Sequence, residues 1–274
     1  MSYEEPLSKS AVAISISESP DMSALGLGPE HLIDAMAEVA RHLLAMGARL
    51  IYGGDLRSDG FTNILFELVA RYRRDADLSD EHVGVTNFLA WPVHAKFTKR
   101  DVDRLSKALT GVADLVYLDI SGQVMSLDDR KKLPPRTPSD DEWIFGLTAM
   151  RALMAEVSDA RVILGGRTEN FKGRMPGIAE EALEMFKVRK PLFLLGGFGG
   201  CAQDITADLR LASSSSSTRT PWPGRSSFER FSSTDLNNGL DPEENEILAT
   251  THHVDEAMTL ILRGLLRLAG RSST

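Results

Sequence analysis

The chain is poor in cysteine, with only Cys201 in 274 residues. An internal disulfide is impossible and a cysteine-based zinc site is excluded. That usage fits a reducing compartment, and a cytoplasmic location is expected. Positive charge is not in excess: 31 Lys and Arg stand against 39 Asp and Glu, a net charge of −8. Nucleic acid is therefore not expected as a partner. No apolar run approaches the ~20 residues of a membrane span. The opening Met1-Ser2-Tyr3-Glu4-Glu5-Pro6 has no basic n-region, so neither a membrane partner nor a signal peptide is expected. Two phosphate-binding fingerprints are missing as well. The glycine spacing does not fit G-x-G-x-x-G, and no G-K-[ST] follows a glycine turn. His252 and His253 have no cysteine or spaced carboxylate beside them and read as surface histidines. No metal and no cofactor is expected. Asp128-Asp129 and Asp140-Asp141-Glu142 read as helix caps and solvated charge.

What is present begins with a 42% hydrophobic content, enough for a sizeable core. Short apolar runs predict strands over residues 11–16, 48–52, 82–90, 115–119, 161–164 and 191–195. Apolar residues at helical spacing predict helices over 29–46, 62–72, 99–109, 140–157 and 178–188. In the first of these Leu32, Ala35, Met36, Val39, Leu43 and Leu44 form the stripe, with Pro29 at its start and Gly47 at its end. The alternation predicts an α/β protein: a doubly wound, mainly parallel sheet with helices on both faces. Right-handed crossovers then put the turns after the strands on one sheet edge. We expect a single domain over 1–274, with a core at 11–210. Five serines at 213–217 and an aperiodic stretch after them predict a mobile loop over 212–250. A C-terminal helix over 252–269 follows, its apolar face packing on the sheet or on a second copy.

Three strand–glycine turns dominate the chemistry. The first is Gly53-Gly54-Asp55-Leu56-Arg57-Ser58-Asp59-Gly60, the second Gly165-Gly166-Arg167, the third Gly196-Gly197-Phe198-Gly199-Gly200. Glycine lets backbone come close to a ligand and adopt positive φ. Three such turns on one edge point to a nucleotide-like ligand whose phosphate meets backbone N–H groups. Arg57 offers a charge-assisted phosphate contact, and the helix after Gly60 its dipole. Arg167, Lys172 and Arg174 bring three cations into the second loop, and Pro176-Gly177 starts the next helix. Glu180 and Glu181 lie in its first turn, as dipole compensation or as acceptors for ribose hydroxyls or a base amine. Phe198 either stacks on a base or plugs the sheet edge. Ser17 and Glu18, which follow the first strand on the same edge, are sugar or phosphate contacts, or ordinary loop caps. Cys201 stands at a helix start, where a thiol's pKa is lowered, but no partners for a nucleophile accompany it.

These turns, with Met175-Pro176-Gly177-Ile178-Ala179-Glu180-Glu181, resemble the SLOG superfamily over residues 11–208. The resemblance implies a Rossmann-like protein for nucleotides and nucleotide-derived ligands. In the LOG enzymes P-G-G-x-G-T-x-x-E serves a phosphoribohydrolase that releases a base from a nucleoside monophosphate. Here Pro176-Gly177 is followed by Ile178-Ala179, so the Gly-Gly-x-Gly-Thr core is missing; Glu180 or Glu181 would correspond to the catalytic glutamate. Other SLOG domains are sensors, such as those of Thoeris-type antiphage effectors, which recognise cyclic ADP-ribose isomers, and those of melastatin-type channels. Intact glycine turns beside a departed hydrolase motif imply a sensor of an ADP-ribose-like or cyclic ADP-ribose-like signal in a prokaryotic defence or stress system. The alternative is a LOG-like nucleotide N-glycosidase. A homo-oligomer and a fused or separate effector domain are the expected protein partners.

Overall fold

The computed structural model describes residues 5–54, 56, 60–75, 84–212 and 221–272. In chain order the elements are β1 Ala11–Ser17, α1 Pro29–Ala45, β2 Arg49–Tyr52, α2 Phe61–Asp75, β3 Val85–Leu89, α3 Trp91–His94 and α4 Lys99–Ala108. Then come β4 Ala113–Leu118, β5 Val124–Met125, α5 Leu127–Lys132, α6 Asp140–Val157, β6 Ala160–Gly165 and α7 Gly177–Val188. The chain closes with β7 Leu192–Leu195, α8 Gly200–Asp208, α9 Pro242–Thr250 and α10 Val254–Ser272. The sheet order is β5-β4-β3-β2-β1-β6-β7. Every neighbouring pair is parallel except β4–β5. This is the doubly wound α/β arrangement the alternation predicts.

Period-two alternation sorts the central strands between two cores. Val12, Ile14 and Ile16 of β1 point with Leu50, Val162 and Leu164 to the side of α1, α2 and α10. Ala11 and Ala13 point the other way, with Ile51, onto Met150 and Met154 of α6. Beyond them Ile163, Leu192 and Leu194 meet α7 and α8. Strands buried on both faces need this near-continuous apolar composition. Local signals set the helix ends. Pro29 takes the first turn of α1. Ser126 and Ser139 cap α5 and α6 by accepting from the backbone N–H groups of Asp129 and Glu142, and only at α6 does the acid, Glu142, accept in return from the serine N–H.

α5 carries a buried cation that composition alone does not expose. Arg130 is fully buried; its Nε donates to His94 Nδ1 at 2.7 Å and its Nη2 to the Phe97 carbonyl at 2.9 Å. His94 Nε2 therefore carries the proton and donates to the Leu118 carbonyl at 2.8 Å. Burial holds the His94 pKa down at about 4, with the Arg130 charge adding to the shift.

The expected mobile loop over 212–250 needs correction. Residues 213–220 lie outside the described residues. From 221 onward the segment is packed, with Trp222, Phe228 and Leu236 buried. Trp222 Nε1 donates to Asp204 at 2.8 Å, and Arg225 pairs with Asp204 and Asp208 at 2.8 Å each. Phe231 stacks on Phe186 of α7, ring centres 4.2 Å apart. Its apolar residues are spaced for irregular turns, so no helical or strand period marks them. α9 does carry a local start signal: Asp241 and Glu244 form a capping box and Pro242 opens the helix. Glu244 then takes Arg263 and Arg267 of α10, at 2.7 and 2.5 Å. The apolar face of α10 settles on the chain's own core through Ala257, Met258, Leu260, Ile261 and Leu265. Among the described residues no helix is long and apolar enough to cross a membrane.

Candidate functional site

From β1 the chain winds outward to β2, β3 and β4, then returns to the other side of β1 as β6 and β7. Crossovers diverge at such a switch point and leave a crevice at the carboxyl ends of the strands. A cleft of about 440 Å³ lies there, within the range of small-molecule sites. Ile16, Ser17, Glu18, Ser19 and Met22, leaving β1, form one wall, and Tyr52, Gly53 and Gly54, leaving β2, another. The first turn of α1 supplies Pro29, Leu32 and Ile33, and the start of α2 supplies Gly60, Phe61, Thr62 and Ile64. Arg167 reaches in from the turn after β6.

The apolar lining of the cleft comprises Met22, Leu32, Ile33, Phe61 and Ile64. The polar side holds the hydroxyls of Ser17, Ser19 and Thr62 and one pair of opposite charges, Glu18 and Arg167. Backbone chemistry fixes the base of Arg167. Gly166 N–H donates to the Ser17 carbonyl at 3.0 Å, and Arg167 N–H to Ser17 Oγ at 3.1 Å. Gly165 and Gly166 make this turn at φ +67° and +115°, where a side chain is strained. Arg167 Nη2 meets the Glu18 carboxylate at 2.5 Å, with side chains 44% and 68% exposed. α2 has no acidic residue in its first turn, so no carboxylate of its own offsets its positive end.

Of the residues the sequence singles out, Ser17, Glu18, Gly53, Gly54, Gly60 and Arg167 line the cleft. Asp55 and Arg57 lie outside the described residues. Gly165 and Gly166 form the turn beneath Arg167. Gly53 and Gly54 turn out to be small for the protein's own sake. A Cβ on Gly53 would stand 2.5 Å from Met154 Sδ, and one on Gly54 would collide with Thr62 Oγ1 and the Tyr52 ring.

The other candidates do not line the cleft. Glu180 and Glu181 sit on the opposite face of the sheet, buried between α7, α6, β1 and β6. Glu180 accepts from Thr148 Oγ1 at 2.6 Å and pairs with Arg151. Glu181 pairs with Arg161 at 2.6 Å and accepts from Ser15 Oγ. A buried cation demands a buried anion, and Arg161 is wholly enclosed in β6. The expectation that one of these glutamates faces the ligand is corrected on that ground. Gly177 packs against the Arg151 guanidinium. Lys172 lies over the Trp143 ring at 3.9 Å and Arg174 over Phe145 at 5.3 Å, both on α6.

The third turn is internal. The carbonyl oxygens of Ala249 and Thr251 cover Gly196 and Gly197. Phe198 is 1% exposed and plugs the core, which decides between its two readings. Gly199, at φ +75°, abuts Ser19 and Asp21. Gly200 N–H, at the start of α8, donates to Asp21 Oδ2 at 2.7 Å. Cys201 is fully buried, and burial pushes its thiol pKa up, the reverse of the helix-start expectation.

Sequence reading missed the wall residues Met22, Ile33, Phe61 and Thr62, and assigned Leu32 and Ile64 to helix core only. The available signal was that the first turns of α1 and α2 follow strands ending on one edge. It also missed Arg151 and Arg161. Each is a lone cation inside an apolar stretch, and two glutamates follow 20–30 positions later.

Fold and cleft together define a Rossmann-like protein with an open cleft at its switch point. The family described as SLOG cluster2 matches residues 6–241, and the chain belongs to it. That membership carries a nucleotide-related function. No curated protein matches the chain at a significant level.

Proposed function

We propose that the chain is a sensor that binds a nucleotide-derived ligand, ADP-ribose or a cyclic ADP-ribose-like signal, in the cleft between α1 and α2. One observation carries this reading. The carboxylate among the cleft's described lining residues is Glu18, exposed and turned to Arg167, while Glu180 and Glu181 are held in ion pairs behind the sheet. Cleavage of an N-glycosidic bond needs a carboxylate fixed beside the anomeric carbon, and a small misplacement is costly. The apolar wall takes the base, and Arg167 with the α2 start takes phosphate. The setting we assign is a prokaryotic defence or stress system. In it a homo-oligomer passes the bound state to a fused or separate effector.

The test incubates the protein with nucleoside monophosphates, NAD, ADP-ribose and cyclic ADP-ribose isomers. A rise in melting temperature with the ligand recovered intact is the expected outcome; at a hundredfold excess over Kd the stabilisation is ~2.7 kcal/mol. Base release that disappears in Glu180→Gln or Glu181→Gln would replace the sensor by an N-glycosidase. No shift with any of these ligands would remove the reading.

A further inference from the structure

Arg167 is held at its backbone and loosely engaged at its tip. Two hydrogen bonds from the Gly166–Arg167 backbone to Ser17 fix where the side chain starts. At the other end the guanidinium meets the carboxylate of Glu18, which immediately follows Ser17 in the chain. Both charged groups line the cleft, and both are substantially exposed. An exposed pair of this kind is weak, because water screens it and two long side chains must be held in one geometry. A phosphate offers the guanidinium a matched two-point contact, which is stronger. Glu18 therefore stands where an anion is wanted, and holds that place weakly.

We propose that Glu18 is a built-in competitor: its carboxylate occupies the position on Arg167 that the ligand's acidic group takes, so binding exchanges one anion for another on the same guanidinium. This rests on the cleft being the ligand site. Arg167 favours anionic over neutral ligands, and Glu18 trims that preference by competing for the same guanidinium. A nucleotide replaces the lost ion pair with a better one. A nucleoside entering the same space gains nothing at Arg167. The carboxylate also sets a threshold, because a weakly held anion raises the ligand concentration needed to fill the site.

Titration calorimetry with AMP, adenosine and inorganic phosphate tests this on wild type, Glu18→Gln, Arg167→Gln and the double variant. Glu18→Gln should bind AMP and phosphate about threefold to tenfold more tightly. Its affinity for adenosine should stay within about twofold. In the Arg167→Gln background the Glu18→Gln gain should vanish, since no guanidinium is left to release. AMP binding that is unchanged or weaker in Glu18→Gln overturns the exchange while leaving the cleft as the ligand site. A gain that survives in the double variant also overturns it, because general charge removal would then suffice. If neither AMP nor phosphate binds wild type or Glu18→Gln, the exchange falls. It falls together with the cleft reading if the wider ligand panel is also silent.

Discussion

At the end of β2 the chain turns through Gly53 and Gly54 beside an open cleft; at the end of β7 it turns through Gly196 and Gly197 beneath the carbonyls of Ala249 and Thr251. Both turns follow a short apolar strand, and both lie at the carboxyl edge of the same sheet. The first borders solvent-accessible space because the starts of α1 and α2 stand apart above it. The second is roofed by the exit of α9 and by Asp21, which takes the first N–H of α8. A glycine pair reports that something approaches the backbone closely. It does not say whether that is a ligand or the protein itself. At Gly54 the neighbour is Thr62 and at Gly197 it is Thr251.

The largest effect that separates the two turns is expected at Gly197. A Cβ there would collide with the Thr251 carbonyl, which is backbone and cannot rotate away. Gly197→Val should therefore cost more than ~3 kcal/mol and yield little folded protein. A soluble variant with a wild-type urea midpoint would mean the roof is absent in solution.

Glu181→Gln comes next. It strips the enclosed Arg161 of a carboxylate, and breaking a buried pair costs roughly 3–5 kcal/mol. Denaturant titration reads the loss, and the Arg161→Met/Glu181→Leu double variant should recover most of it. Nucleotide affinity of the folded fraction should not move. A changed affinity at unchanged stability would bring Glu181 back to the ligand.

Acid stability supplies a reference outside both turns. Folded His94 takes up a second proton only below about 4, against 6.5 for the ordinary group. Its contribution is complete above pH 6.5 and is lost as pH falls towards 4, because the unfolded chain takes up the proton first. The whole shift corresponds to ~3 kcal/mol, of which ~2 should go between pH 7 and pH 5. Unfolding free energies at those two pH values check it. A flat profile would show that His94 charges within the fold. The smallest effect belongs to Gly53→Ala, whose Cβ meets the flexible ends of Met154 and Met150 at 2.5 and 2.9 Å. Those ends can shift, so a cost of about 1 kcal/mol is expected in a thermal melt. A loss as large as that at Gly197 would erase the distinction between the turns.

Much of the layering is legible in the chain. Leu32 to Leu44 recur at helical spacing and α1 packs through them, and α6 starts and stops where its serine cap and apolar stripe place it. What escapes is whatever depends on a distant partner. Trp222, Phe228 and Leu236 are anchors without a period, so their stretch reads as a loop. Six of the sixteen described residues lining the candidate cleft are visible in the same sense. Ser17, Glu18 and Arg167 are marked by their place after strands. The face a glutamate turns to depends on Arg151 and Arg161, and no spacing within α7 reveals them.

β1 is made before every strand it pairs with and ends in the middle of the sheet. Its Ala11 N–H closes on Asp159, 148 positions later, and Ser17 waits still longer for Gly166 and Arg167. On a translating ribosome that interval is on the order of 10–30 s. Throughout it one edge of an apolar strand stays open to whatever strand drifts past. A nascent chain interrupted before β6 would lack Arg167 at its cleft and would also carry an adhesive edge. The central position that makes the crevice is thus also this protein's point of greatest exposure to misassembly at birth.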